Sequence, residues 1–205
     1  MNPPNPRAKR REDVRLAFLH YDVEKLDELA SQGSFPHEFD GWSGSDWLGM
    51  AVAVGNLASV RWMLAKGIDT NLADYGGQSS LVHALGSEAE KVRRERADPG
   101  KAAEETVAMI DVLIAAGADV NGRGILGHTP LHCAVGRSSP RVLQHLLDRG
   151  ADPNLAHWDY EPETAADLAV FLERWEAHAI LSEAMGHGSA ERRTLPSGDG
   201  RFPEG

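Results

Sequence analysis

The sequence is poor in the features that mark disulfide-bonded, membrane-spanning and secreted proteins. Its 205 residues include one cysteine, Cys133, so no disulfide can form within the chain, and this usage favours a reducing compartment. No run of 18 apolar residues is present, and we therefore expect no membrane-spanning helix. The first residues lack the apolar stretch of a signal peptide. We predict a cytoplasmic location and no membrane partner.

Positive charge is also scarce. The chain has 31 acidic residues against 21 Lys and Arg, which gives a net charge of −10. This balance argues against a nucleic-acid partner and favours a protein partner that is basic or carries an apolar patch. The basic run at residues 7–11 is expected to be a solvated tail rather than a nuclear address.

A repeated phrase is what the chain does contain. Gly-x-Asp-x-Asn begins at Gly67, Gly117 and Gly150, and a weaker copy begins at Gly33. These glycines are spaced by 34, 50 and 33 residues, so the middle interval is one period with a 17-residue insertion. A fixed period of this size indicates stacked units, none of which can bury its apolar face alone.

Helix start and stop signals fall in phase with this period. Thr129 is a predicted N-cap, Pro130 follows at the first helical position, and His132 can reach back to the cap. Thr164 and Asp167 repeat the arrangement. The glycines of the phrase are expected to end the second helix of each unit in the left-handed conformation. Apolar residues at spacings of three and four predict second helices near 23–32, 57–66, 103–116, 139–149 and 175–184.

The residues from Gly127 to Ala134 contain the string Thr-Pro-Leu-His-x-Ala. With it the chain resembles an ankyrin-repeat protein of about five units, of which only the fourth matches the pattern fully. The resemblance implies an all-α repeat solenoid, in which helix-turn-helix units stack and short β-hairpin fingers join them. We expect the repeat domain to span residues 11–186, with disordered tails at 1–10 and 187–205.

The insertion, at about residues 86–102, interrupts the third unit. Its charges of mixed sign predict a solvated helix with a turn at Asp98-Pro99-Gly100. The resemblance implies that it projects from the edge away from the fingers. We expect it to bury little, so that replacing residues 87–99 by a short Gly/Ser loop changes stability by no more than about 1 kcal/mol.

The sequence predicts no catalytic residue, no metal site and no cofactor. His128, His132 and Cys133 are close in sequence, but His132 has a capping role and stacked units keep equivalent positions about 10 Å apart. Adjacent helix positions point about 100° apart, so Cys133 cannot pair with His132 as a nucleophile. We interpret Cys133 as a small core residue. The chain is not expected to be an enzyme.

The resemblance implies that a partner lies against the fingertips and the first helices. Trp and Tyr are favoured interface anchors, and aromatic residues concentrate in these loops. The predicted partner-binding residues are Trp42, Tyr75, Gln78, Ile125, Leu126, His128, Trp158, Asp159 and Tyr160. The alternative for each aromatic residue is packing on the neighbouring finger.

The sequence therefore favours a non-catalytic protein-binding module that is a monomer when free. Its specific form is an inhibitor or immunity-type protein that masks a partner's active surface. The alternative is an adaptor or secreted effector that tethers a host or cellular protein.

Overall fold

The computed structural model describes residues 6–32, 35–36, 47–94, 97–124, 127–157 and 164–188. Within these ranges the chain is all-α, with ten helices and no strand. In chain order the helices are α1 Pro6–His20, α2 Val23–Ser31, α3 Trp47–Val54, α4 Leu57–Ala65, α5 Ser80–Arg94, α6 Pro99–Ala115, α7 Pro130–Arg137, α8 Pro140–Asp148, α9 Ala165–Phe171 and α10 Trp175–Gly188. Consecutive helices pair, and we number the pairs units 1 to 5.

The predicted second helices are confirmed as α2, α4, α6, α8 and α10. Helix α6 begins earlier than predicted, because Asp98 caps it by accepting a hydrogen bond of 2.9 Å from the amide of Lys101. Pro99 then occupies the first turn, where its missing donor costs nothing. Helix α1 begins at Pro6, inside the segment assigned above to the N-terminal tail.

One apolar core runs through all five units, from Val14 in α1 to Leu181 in α10. The predicted apolar stripes line it. Leu26, Leu29, Val60, Met63, Ile110, Leu113, Leu143 and Leu146 are buried, and Ala30, Leu64, Ile114 and Leu147 are partly buried against the same core. Neighbouring units cover one another's apolar faces, as a stacked-repeat architecture requires.

The predicted left-handed glycines are confirmed. Gly67, Gly117 and Gly150 have φ of 77°, 99° and 93°. After α6 the amide of Gly117 donates to Ile114 O at 2.9 Å, and the following amide donates to Leu113 O at 3.0 Å. This pair of bonds is the Schellman motif, which satisfies the last carbonyls of the helix.

Two first helices end in the same way without glycine. Tyr21 after α1 and Glu173 after α9 have φ of 49° and 56°. At the second site the amide of Glu173 donates to Val170 O at 3.0 Å, and that of Arg174 to Ala169 O at 2.7 Å. A side chain in this conformation costs about 1–2 kcal/mol relative to glycine. The sequence predicted neither position, since only glycine signals it.

The insertion lengthens α5 and α6 and forms contacts that the sequence did not predict. Glu88 is 4% exposed, and its carboxylate accepts a hydrogen bond of 3.1 Å from the amide of Ser139 in unit 4. Lys91 lies against Gly55 of unit 2 and pairs with Glu105 at 2.7 Å. The expectation that the insertion buries little is therefore wrong at its first turns. The alternating charges indicated a solvated helix, but neighbouring units cover the side chains of Glu88 and Lys91.

We expect Glu88→Ala to lower the free energy of unfolding by about 1–3 kcal/mol, because the amide of Ser139 loses its acceptor at a buried site. Glu104→Ala is the matched control. Glu104 is exposed on α6 and pairs with Arg141 at 3.1 Å, a contact worth about 0–1 kcal/mol. Urea denaturation of both variants measures the difference. Equal losses would show that the Glu88 contact contributes nothing beyond a surface ion pair.

Candidate functional site: the finger edge

Three loops that join successive units form one edge of the described structure. We call them finger A (residues 66–79), finger B (residues 116–129) and finger C (residues 149–163, described to residue 157). Each begins with an aspartate whose carboxylate accepts from the amide two residues later. The pairs are Asp69 with Asn71, Asp119 with Asn121 and Asp152 with Asn154, at 2.8–2.9 Å. This side-chain turn fixes the entry of each finger.

Asparagine amides join one finger to the next. Asn71 donates from Nδ2 to Gly117 O at 2.9 Å, while its Oδ1 accepts from the amide of Asp119 at 2.8 Å. Asn121 forms the same two bonds with finger C, at 3.1 and 2.8 Å. One side chain thus satisfies a donor and an acceptor of the neighbouring backbone, which sets the spacing of the fingers.

Backbone hydrogen bonds bring the two sides of fingers A and B together. In finger A the amide of Asp74 donates to Gln78 O at 3.1 Å, and the amide of Gly77 donates to Asp74 O at 2.8 Å. In finger B the amide of Gly124 donates to His128 O at 2.9 Å. The bond from Asp74 to Gln78 and the bond from Gly124 to His128 each join the two sides of one finger. The predicted hairpin fingers therefore take the form of turns, without a strand in the described part of the chain.

The predicted site residues of finger A have different surroundings. Tyr75 is 76% exposed at the tip. Gln78 faces the neighbouring unit, and its Oε1 accepts from Arg137 of α7 at 3.2 Å. Asp74 is also engaged, since it lies 3.2 Å from His83 and accepts from the amide of Gln78 at 2.9 Å. The tip thus presents an aromatic ring on a loop that side-chain contacts hold in place.

His128 belongs to a cluster of three imidazoles rather than to an open surface. Its ring stacks on His132 with centroids 5.6 Å apart, and His157 of finger C meets it edge-on at 5.0 Å. His157 also contacts His132 at 5.8 Å. Burial, followed by nearby His157 and Arg137, lowers the pKa of His128 below its ordinary value. The sequence did not reveal the cluster, because its three residues come from finger B, α7 and finger C, which meet only in the folded chain.

The remaining predicted site residues lie outside the described residues. They are Trp42, Ile125, Leu126, Trp158, Asp159 and Tyr160. Their role in partner binding stays a prediction.

The caps predicted beside the fingers are confirmed. The amide of Thr129 donates to His132 Nδ1 at 3.3 Å, and the Thr129 hydroxyl lies 2.8 Å from the same nitrogen. Thr164 and Asp167 form the equivalent box, with the amide of Thr164 donating to the carboxylate at 3.0 Å. Cys133 is partly buried against the core, and this burial raises the pKa of its thiol. A thiol in this state is a weak nucleophile.

The family model of the ankyrin repeat matches residues 126–158, which span finger B from Leu126, α7, α8 and part of finger C. The chain therefore contains an ankyrin repeat. An L-asparaginase of Dirofilaria immitis is 26% identical over 148 residues, which cover 64% of this chain and 25% of that protein. The B-cell lymphoma 3 protein homolog of Mus musculus is 28% identical over 146 residues, with coverages of 69% and 29%.

A third relative of this ankyrin-repeat chain is the human transient receptor potential cation channel subfamily A member 1. It is 27% identical over 157 residues, which cover 72% of this chain and 12% of that protein. The chain thus spans between about one eighth and three tenths of the lengths of these three relatives. Within the described residues, no helix has the length and apolar character to cross a membrane. The same residues hold no group of three or more His, Cys, Asp or Glu side chains suited to a metal ion.

Close contact between fingers A and B predicts the effect of one added methyl group. A Cβ on Gly124 would lie 2.6 Å from Gly77 O, so we expect Gly124→Ala to destabilise the protein by about 1–3 kcal/mol. Gly86→Ala in α5 is the control, since its Cβ would meet nothing within 4 Å. That change should stabilise the helix by up to about 1 kcal/mol. Thermal unfolding distinguishes the two, and a neutral Gly124→Ala would show that the fingers can separate.

The histidine cluster predicts that stability falls in mild acid. The pKa of folded His128 lies below its unfolded value of about 6.5, so the unfolded chain binds more protons as pH drops through that value. The His128 contribution is complete above about pH 6.5 and is lost between there and the lower folded pKa. We expect His128→Gln to reduce the stability difference between pH 7.5 and 5.5 in urea denaturation. His20→Gln, at an exposed position of α1, should leave that difference unchanged.

Proposed function

We propose that this ankyrin-repeat chain is a non-catalytic module that binds a partner protein along its finger edge and the adjoining first helices. The observation that supports this most directly is Tyr75, 76% exposed at the tip of finger A. The loop beneath it is held by the Asn71 bonds to finger B and by the Asp74 contacts. An aromatic ring on a rigid loop offers a large contact area with little loss of conformational entropy on binding.

The partner is a protein that is basic or carries an exposed apolar patch. The net charge of −10 would attract a basic protein over distances of about 8–10 Å at physiological salt. The Asp74 carboxylate already accepts from the amide of Gln78, so the attraction rests on the overall field rather than on that carboxylate. Asp159, which the sequence predicts on finger C, is the carboxylate that we expect to meet such a partner.

We propose that the protein acts in the cytoplasm, as a monomer when free, by masking a surface of its partner as an inhibitor or immunity-type protein does. The alternative is an adaptor or effector that tethers a cellular or host protein. The two differ in one observable. A masking protein abolishes its partner's activity at one-to-one stoichiometry, whereas an adaptor leaves that activity intact and binds a second protein at the same time.

The likeness to an L-asparaginase covers a quarter of that protein and carries no assignment of its activity to this chain. The polar groups near the fingers support binding over catalysis. Thr129 and His132 form a cap, and the Asp74 carboxylate accepts from the amide of Gln78. Burial raises the pKa of the Cys133 thiol, which disfavours the reactive thiolate.

Substitution of two finger residues tests the proposal. The partner is first captured from a lysate on the immobilised full chain, identified by mass spectrometry, purified, and titrated by calorimetry. We expect Tyr75→Ala and Trp158→Ala each to weaken binding by about 2 kcal/mol, the scale of an interface hot spot, without lowering the melting temperature. Leu19→Ala, at an exposed position of α1 away from the fingers, is the control for loss of apolar surface. A lower melting temperature with unchanged affinity would identify the aromatic residues as finger packing.

A further inference from the structure

The turn between α9 and α10 exposes a run of large apolar side chains. Val170, Phe171, Leu172 and Trp175 are 42%, 72%, 42% and 62% exposed, and we call them the corner patch. In unit 4 the residue equivalent to Val170 is buried. Val135 follows Thr129 by six residues, as Val170 follows Thr164, yet Val135 is 2% exposed because unit 5 packs on it. A contiguous exposed patch of this kind is characteristic of an interaction surface.

A cleft of about 470 Å³ lies beside the patch, between units 4 and 5. Its apolar lining includes Ala134, Val135 and Leu143, and Trp175 forms part of its wall. The volume is within the range of small-molecule pockets and is sufficient for a large side chain. No cation or aromatic ring stacks on Trp175 among the described residues, in contrast to Trp62, which donates to Asp27 at 3.2 Å and carries Lys66 over its ring.

One residue of the cleft lining has a side-chain polar atom without a partner. Ser139 is the N-cap of α8, but its side chain makes no capping bond, and its backbone amide donates to Glu88. The buried Oγ has no hydrogen-bond partner in the described residues. A buried hydroxyl without a partner is costly, so a ligand that pairs with it gains that energy on binding.

The charges around the patch specify the occupant. Exposed Glu173 and Glu176 flank Trp175 in sequence and line the cleft. Arg174, the cation between them, donates from Nε to Val135 O at 3.3 Å. We propose that the corner patch and its cleft are a second docking site, which takes a protein segment carrying one large apolar side chain flanked by Lys or Arg.

Electrostatics favours such a partner over a second copy of this chain. Two copies would each bring a net charge of −10, and the glutamates of one corner would face an acidic surface. The site is also separate from the finger edge. Helix α9 begins at the finger side and ends at the patch, and its seven residues span about 10 Å. The corner patch therefore shares no residue with fingers A, B and C.

A displayed library of random 12-residue peptides, selected on the immobilised full chain, tests this site. We expect recovered peptides to share a large apolar residue with Lys or Arg within two positions. Fluorescence anisotropy should show at least tenfold weaker binding to Trp175→Ser, with binding to Tyr75→Ser unchanged. Because Tyr75 serves the finger edge, this pair of variants separates a failure here from a failure of the finger-edge proposal.

Glu173→Gly separates a role of Glu173 in peptide binding from a role in stabilising the fold. Glycine relieves the left-handed strain at this position, so the melting temperature should rise. Loss of the carboxylate should nevertheless weaken peptide binding about threefold to tenfold and reduce its dependence on salt. Three results would overturn the proposal: no peptide that requires Trp175, recovered peptides without Lys or Arg, or a dimer in light scattering that Trp175→Ser abolishes.

Discussion

The structure depends on one constraint: each helix pair has an apolar face that only a neighbouring pair can cover. The core from Val14 to Leu181 is continuous because every interior unit contributes to two interfaces. The same constraint explains the corner patch. Val135 is buried under unit 5, whereas Val170, at the equivalent position of unit 5, is exposed. An exposed apolar surface on the last described unit is therefore consistent with the architecture, and the neighbouring charges decide what can bind there.

The finger edge is ordered by a different interaction. Asn71 and Asn121 each connect two fingers through a donor and an acceptor on one amide, so the separation of the fingers does not depend on their tips. Because Gly124 of finger B has no side chain, it can lie against the Gly77 carbonyl of finger A. Loops held in this way can vary at the tip without altering the stack, which is how a rigid scaffold supports binding residues on loops.

The features that the sequence predicted correctly depend on local chemistry. Caps such as Thr164, and glycines such as Gly117, follow from the backbone requirements of a helix end, which neighbouring units do not alter. The features that the sequence did not predict all involve tertiary contacts. Glu88 is buried where its carboxylate accepts from the amide of Ser139, and His128 packs on the imidazoles of His132 in α7 and His157 in finger C. Glu173 adopts a conformation normally marked by glycine, and the two Schellman bonds around it hold that conformation in place.

The insertion and the corner site are connected through Ser139. In the usual arrangement an N-cap serine uses its hydroxyl to accept from the first turn of the helix. Here the Glu88 carboxylate takes the backbone amide of Ser139 at the start of α8, where a negative charge also interacts favourably with the helix dipole. The Ser139 hydroxyl forms no capping bond, and Ser139 and Trp175 both line the cleft. The extra turns of unit 3 thus help to position the start of α8, which forms one wall of the proposed docking site. A change in the insertion that displaces Glu88 would therefore alter the cleft between units 4 and 5.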